Sequence, residues 1–283
     1  MVFEGVKIVN IQQFTHLGRP IDLTYPTNRA IAIISVSTFI AVAVCGLLTQ
    51  SLLLKDALFQ AAELAGAIFL SWALARETDP DGEILAFYSI PPTILLGYWL
   101  GRPAFDLLFL TLLLMRIVNR TVGMVAKPFD VLLVLVLTAL VAHDGAWYIV
   151  LCTAMAFALD SYLVQPHPSH KWVALLVGIA ALVLFLTKDG LIIPKLPVSL
   201  WWLVFAGILG TMAMLLFTPE IRSKSDHGGP IYLQRLQASW LLALLLAIFT
   251  VCLSPQGFVA LAPFWSVLIV AGIDRLVLWT MTL

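Results

Sequence analysis

Residues 65–100 read AGAIFLSWALARETDPDGEILAFYSIPPTILLGYWL, and their pattern decides the fold class. The short segment 76–83 (RETDPDGE) contains one arginine and four carboxylates, whereas both flanks are almost purely apolar. Its Asp-Pro-Asp-Gly core is typical of a turn, because proline ends a helix and Asp and Gly favour turn conformations. The pattern therefore predicts two apolar helices joined by an acidic turn.

The composition identifies the solvent for which those helices are built. Hydrophobic residues make up 61% of the 283-residue chain and charged residues only 11%. Soluble domains contain about 45–50% apolar and about 25% charged residues. We therefore predict an all-α, polytopic transmembrane helix bundle whose main partner is the lipid bilayer. The formal net charge is zero, so nothing indicates a nucleic-acid partner.

Apolar runs between polar breaks predict about ten membrane spans with short loops. Several have only about 15–18 residues, against the roughly 20 that cross the hydrocarbon core. For two pairs of these short segments, the alternative to two full spans is a single re-entrant hairpin. The pairs are 84–101 with 104–118 and 129–143 with 146–164. Pro91 and Pro92 predict a kink in the third span. The ten spans are 30–53, 57–75, 84–101, 104–118, 129–143, 146–164, 172–187, 198–218, 237–253 and 257–281.

The distribution of basic residues predicts the orientation. With a cytoplasmic N-terminus, 12 of the 16 Lys and Arg residues lie on the cytoplasmic side, and only Lys55, Arg102, Lys188 and Lys195 lie on the other. Positive charge is retained on the cytoplasmic side, so both termini are predicted to be cytoplasmic. We divide the chain into a cytoplasmic, interfacial N-terminal segment (1–28) and a single transmembrane domain (29–283).

A weak internal repeat relates two of the predicted spans. IFLSWALAR (68–76) resembles LFLTLLLMR (108–116) at an offset of 40 residues, so that Arg76 aligns with Arg116. A hairpin of two spans has about this period. Leu-rich and Ala-rich sequence produces such matches easily, and we base no function on it.

The polar cytoplasmic segments contain the candidate site. Asp79 and Asp81 are candidate catalytic residues and candidate ligands for Mg²⁺, which prefers oxygen donors. Arginine forks and amides bind phosphate or carboxylate, which makes the basic side chains candidates for substrate binding. We expect the guanidinium of Arg116 or Arg120 within about 10 Å of one of the two carboxylates. The candidate substrate-binding residues are Arg76, Arg116, Asn119, Arg120 and Lys127.

Three further residues are candidates for proton chemistry. His167 and His170 are three residues apart and suit general acid–base catalysis or, alternatively, metal binding. Glu63 lies inside the second predicted span, where an ionisable group suggests proton or substrate coupling. Each candidate also has a structural explanation. Asp-rich turns are often only solvated, basic residues follow from topology, and Glu63 is near Gln60 or the interface.

Three functions fit these observations. The first is a membrane-embedded enzyme acting on a phosphorylated or lipid-linked substrate at the cytoplasmic face. The second is a non-catalytic subunit that docks a protein partner on its cytoplasmic loops. The third is a small ten-span transporter that uses Glu63. The first two are favoured, because the predicted outer loops contain almost no polar residues.

Overall fold

A computed structural model describes residues 14–19, 21–49, 53–187 and 196–281. Within these residues the chain is all-helical and contains no strand. The N-terminal half contains α1 (Pro26–Leu48), α2 (Leu54–Thr78), α3 (Leu85–Tyr88), α4 (Ile90–Leu100), α5 (Phe105–Asn119) and α6 (Pro128–Val141). The C-terminal half contains α7 (Trp147–Tyr162), α8 (His170–Thr187), α9 (Val198–Phe217), α10 (Leu233–Leu253), α11 (Gly257–Ala260) and α12 (Ala262–Met281).

Each of the ten predicted spans coincides with helix, and the third and tenth are each divided into a short and a longer helix. Six helices are long and apolar enough to cross a membrane, namely α1, α2, α8, α9, α10 and α12. The segments Leu85–Leu100, Pro128–Val141 and Trp147–Tyr162 are apolar but shorter. The helical membrane-protein class therefore agrees with the prediction, while the count of ten spans stays a prediction.

The centre of the bundle is formed by α5 and α10, which pack against each other. α2 and α7 contact α5, and α12 contacts α2 and α9. Nearly all of α5 from Leu107 onward is buried, although the helix has only 15 residues. By contrast, α1 packs mainly on α2 and α8 mainly on α7, and both expose large apolar side chains such as Ile40 and Leu182. Those faces suit contact with lipid.

The predicted kink in the third span is present as a break at Ser89 between α3 and α4. The hydroxyl of Thr93 donates to the Ser89 carbonyl at 2.8 Å, and Ser71 and Ser89 share a hydroxyl contact of 2.9 Å. The Ser89 hydroxyl also donates to the Ala86 carbonyl at 2.8 Å, so the buried hydroxyls at the break are satisfied by one another and by nearby carbonyls.

The backbones of α9 and α12 approach each other closely at glycines. A Cβ at Gly272 would overlap the backbone of Gly210, and a Cβ at Gly207 would overlap the ring of Trp265. In lipid, the hydrophobic effect does not drive helices together, and close packing contributes instead. Small residues allow the helix backbones to approach closely enough for that packing. The glycines therefore fix α9 against α12.

Candidate functional site

One end of the bundle contains a layer of charged side chains, which we call the polar layer. It is formed where α2, α5 and α7 end, where α8 and α10 begin, and by the last turns of α12. Its members are Arg19, Glu77, Asp79, Arg116, Asn119, Arg120, Thr121, Asp160, His170, Arg235 and Arg275.

The first part of the polar layer is centred on Glu77, whose side chain is 0% exposed. Its carboxylate accepts from Arg116 Nε at 2.8 Å, from Asn119 Nδ2 at 3.2 Å and from the Thr121 hydroxyl. Arg19 Nη1 lies 3.8 Å from the same carboxylate. Arg116 and Asn119, which we expected to bind substrate, therefore have Glu77 as their partner.

Asp79 and Asp81 lie in the turn after α2 but point to different partners. Asp79 forms a buried ion pair with Arg275, and its other oxygen accepts the backbone N–H groups of Asp81 and Gly82. Asp81 accepts the backbone N–H groups of Arg222 at 3.1 Å and Ser223 at 2.7 Å. Burial raises the pKa of Asp81, but hydrogen bonds from Ser223 and Arg222 outweigh it and hold that pKa below its usual value.

This arrangement does not fit the magnesium site suggested by the sequence. Both oxygens of Asp79 and both oxygens of Asp81 already accept hydrogen bonds from arginine or backbone donors. A shared cation would have to displace Arg275 and several amides. Among the described residues, no group of three or more His, Cys, Asp or Glu side chains is placed to hold a metal ion. We therefore derive no chemical step from Mg²⁺.

Two other predicted substrate-binding residues lie at the edge of the polar layer. Arg76 pairs with Glu83 at 3.6 Å and donates to the Pro80 carbonyl. The backbone N–H of Lys127 donates to the Asp130 carboxylate at 2.8 Å, where α6 begins. Neither residue is joined to Glu77 or Asp79 by these bonds.

The second part of the polar layer is centred on Asp160, whose side chain is 1% exposed. Arg120 Nε and Arg235 Nη1 both donate to Asp160 Oδ1 at 2.8 Å. His170 Nδ1 lies 2.8 Å from Asp160 Oδ2. An ionised carboxylate can only accept, so His170 Nδ1 is the donor and Asp160 fixes the orientation of the ring.

Arg120 is the least satisfied member of the polar layer. Its Nη1 donates to the Gln165 carbonyl at 2.8 Å, but its Nη2 is buried and has no hydrogen-bond partner. The side chain of Arg120 is 9% exposed. Its backbone is left-handed, with φ of 52°, and the adjacent Gln165 is also left-handed, with φ of 59°. Such strain in residues other than glycine persists only where the surroundings impose it, and it is common at functional sites.

His167 lies beside this second part. Its ring centroid is 4.4 Å from that of His170, and its Nδ1 is 2.8 Å from the Ser169 hydroxyl. Burial and the neighbouring His170 lower the pKa of His167, with a smaller opposing effect from Asp160. His167 is therefore neutral at pH 7 and suited to accept a proton.

Glu63 is not part of the polar layer. Its carboxylate accepts from Arg102 Nη1 at 3.0 Å, beside the turn that joins α4 and α5 at the opposite end of the bundle. The Arg102 side chain is half exposed, at 50%. The pair gives Glu63 a structural partner near that end, and proton coupling through Glu63 stays a prediction.

Residues 14–19 form a strap that lies on the polar layer. Leu17 is 2% exposed, and its carbonyl accepts from Arg116 Nη1 at 2.9 Å. The Thr15 hydroxyl and the His16 backbone N–H both donate to Asp130. Residues 1–13 and residue 20 of the predicted N-terminal segment lie outside the described residues.

No protein-family model, curated protein or solved structure matches this chain.

Proposed function

We propose that the protein is a membrane-embedded enzyme that binds the phosphoryl group of a phosphorylated or lipid-linked substrate at the polar layer. The observation that carries the proposal is the sharing of one carboxylate, Asp160, by two buried guanidinium groups, Arg120 and Arg235. Two guanidinium groups against one carboxylate leave this part of the layer with one uncompensated positive charge. Buried charge is costly unless it is paired, so the site favours an additional anion.

Arg120 supplies the donor for that anion. Arg235 is saturated, since its nitrogens donate to Asp160 and to the carbonyls of Val118, Val164 and Gln165. The buried Nη2 of Arg120, by contrast, has no acceptor among the described residues. A phosphoryl oxygen both accepts such a bond and removes the excess charge, and the planar guanidinium matches its geometry.

His167 supplies the acid–base chemistry in this proposal. It is neutral at pH 7, and it is close enough to Arg120 for that cation to contribute to its lowered pKa. In a hydrolysis or transfer step, His167 would accept the proton of the attacking water or hydroxyl while its oxygen bonds to phosphorus. The bond from phosphorus to the leaving-group oxygen would break, and the His167 imidazolium would return the proton to that oxygen. Arg120 and Arg235 would stabilise the negative charge on the phosphoryl oxygens. Asp160 and His170 would act by positioning these groups.

Binding is tested with methyl phosphate and the purified protein in a phosphate-free maltoside detergent, followed by ³¹P NMR. We expect saturable binding that Arg120→Lys weakens by about tenfold, because a charged hydrogen bond contributes about 1.5–3 kcal/mol. The matched control is Arg102→Lys at the opposite end of the bundle, which should bind as the unmodified chain does. Absence of saturable binding, or equal weakening by both variants, would contradict the proposal.

Catalysis is tested separately with a polar lipid extract that contains lipid phosphates and pyrophosphates. We expect the protein to release or transfer phosphate and His167→Gln to abolish turnover while methyl phosphate still binds. Turnover that His167→Gln leaves unchanged would exclude the proposed base.

A non-catalytic subunit is the second candidate function. The observation in its favour is that most charges of the polar layer are paired with one another, as in a structural core. The loops that follow α2 and α9 would then dock a protein partner. The transporter alternative requires Glu63, and Glu63→Gln should alter the pH dependence of transport if that alternative holds.

We also infer the finer topology of ten spans with both termini cytoplasmic. The support is that α5 begins beside α11 at one end of the bundle and ends in the polar layer at the other. Its 15 residues rise about 22 Å, so local thinning or tilting of the bilayer would complete the crossing. The same end contains Arg116, Arg120, Arg235 and Arg275, as the distribution of basic residues requires for the cytoplasmic side.

A further inference from the structure

The loop between α7 and α8, residues 163–169, joins the part of the polar layer around Asp160 to the outside of the bundle. The Gln165 carbonyl accepts from Arg120 Nη1 at 2.8 Å, while the Gln165 side chain is exposed. His167 belongs to the same loop and is half-buried. The groups that would bind and process a phosphoryl group therefore lie directly behind a surface loop.

Two aromatic residues mark the depth of this loop in the membrane. Tyr162 precedes the loop and Trp172 follows it closely, and their side chains are 82% and 61% exposed. The Lys171 ammonium lies 5.3 Å from the centroid of the Trp172 ring. Exposed tyrosine and tryptophan favour the headgroup level of a bilayer, from which a lysine side chain reaches water. The loop therefore lies at the depth that the phosphoryl groups of lipids occupy.

An exposed apolar face of α8, which we call the α8 stripe, leads away from this loop along the helix. α8 is peripheral, because it packs mainly on α7. The members of the stripe recur every three or four positions, so they share one face of the helix. They extend over about 17 Å of helix, which is comparable with the roughly 15 Å depth of one hydrocarbon leaflet. The members are Leu175, Leu176, Ile179, Leu182, Val183 and Leu186.

We propose that the ligand of the phosphoryl site is a lipid phosphate, whose phosphoryl group meets Arg120 and whose chain lies along the α8 stripe. The inference rests on the proposed function, and it adds the substrate class and the route of entry from the bilayer past the 163–169 loop. Charge complementarity places the phosphoryl end. The buried Nη2 of Arg120 has no acceptor among the described residues, and Lys171 adds a second cation near the loop. A soluble phosphate ester would use neither the stripe nor the membrane depth of the loop.

The test compares hexadecyl phosphate that carries a diazirine in the middle of its chain with the matching hexadecanol, which lacks the phosphoryl group. The protein in phosphate-free maltoside micelles is irradiated with each probe, and the labelled peptides are mapped by mass spectrometry. We expect the phosphate probe to label the α8 stripe more than the alcohol does, and saturating methyl phosphate to remove that excess. The exposed face of α1 around Ile40 should be labelled equally by both probes.

Arg120→Lys should lower the excess labelling of the α8 stripe about tenfold, as expected for the loss of one charged hydrogen bond. Arg102→Lys, at the opposite end of the bundle, should preserve the excess. The competition by methyl phosphate uses the unmodified chain and does not depend on the folding of a variant. If methyl phosphate binds through Arg120 but the two probes label the α8 stripe equally, the lipid inference is overturned while the phosphoryl site stands. If methyl phosphate does not bind, both proposals are overturned.

Discussion

The four carboxylates of residues 76–83 serve four separate contacts. Glu77 binds Arg116, Asp79 binds Arg275, Asp81 accepts backbone N–H groups including that of Ser223, and Glu83 pairs with Arg76. Glu77 and Asp79 are buried, whereas the Glu83 side chain is 62% exposed. The acidic density of this turn therefore follows from its position between several helices.

Glu77→Gln and Glu83→Gln are matched substitutions that separate buried from exposed pairing. Removing the charge of Glu77 leaves Arg116 buried without its counter-ion, which typically costs about 3–5 kcal/mol of unfolding free energy. Removing the charge of Glu83 should lower the free energy of unfolding by only about 0–1 kcal/mol. Thermal and denaturant unfolding in detergent measures both, and similar losses would contradict the assigned burial.

The lowered pKa of His167 predicts a pH dependence of stability. Burial and His170 lower this pKa in the folded protein, so the unfolded chain binds more protons. The contribution of His167 to stability is complete above about pH 6.5 and declines as the pH falls below that value. Between pH 7 and pH 5, the melting temperature should therefore fall less in His167→Gln than in the unmodified chain. An equal fall in melting temperature in the two proteins would contradict the lowered pKa of His167.

At the residue scale, the sequence located the polar end but not its pairing. Arg120 and His170 were predicted site residues, and both contact Asp160. Asp160, Glu77 and Arg235 were not predicted as site residues, because a single charge at the end of an apolar run does not reveal its partner on another helix.

Among the elements, the predicted spans agree closely with the helices because apolar runs between polar turns define both. The predicted segment 104–118 matches α5 (Phe105–Asn119), and 172–187 matches α8 (His170–Thr187). The sequence could not predict that α5 is central and α8 peripheral. Both are apolar all round, so periodicity does not distinguish a face toward lipid from a face toward protein.

The crossing of α9 and α12 gives a prediction for helix packing. Gly272→Ala should destabilise the protein by about 1–3 kcal/mol, because its Cβ would overlap the backbone of Gly210. The control is Gly178→Ala in α8, where a Cβ would meet only the Ala154 Cβ at 3.9 Å. That change should be neutral or stabilising by up to about 1 kcal/mol. Unfolding of both variants in the same detergent measures the difference. Equal unfolding free energies for the two variants would contradict the close approach of α9 and α12 at Gly272.

The whole molecule has two chemically different ends. One end contains the arginine-rich polar layer, and the other contains an open cavity whose lining includes Trp147 and Gln256. Reporter fusions should place the loops around Asp81, Lys127, His170 and Lys224 on the cytoplasmic side, together with both termini. A Lys127 loop outside with a Lys224 loop inside would contradict the ten-span topology.

Native mass spectrometry of the protein, extracted from its own membrane in a mild detergent, is the sharpest test of phosphoryl binding at the polar layer. We expect one phosphorylated ligand, lipid-linked or soluble, to be retained per chain, lost from Arg120→Lys and kept by Arg102→Lys. A stoichiometric protein partner with no phosphorylated ligand would contradict the enzyme proposal and favour the subunit.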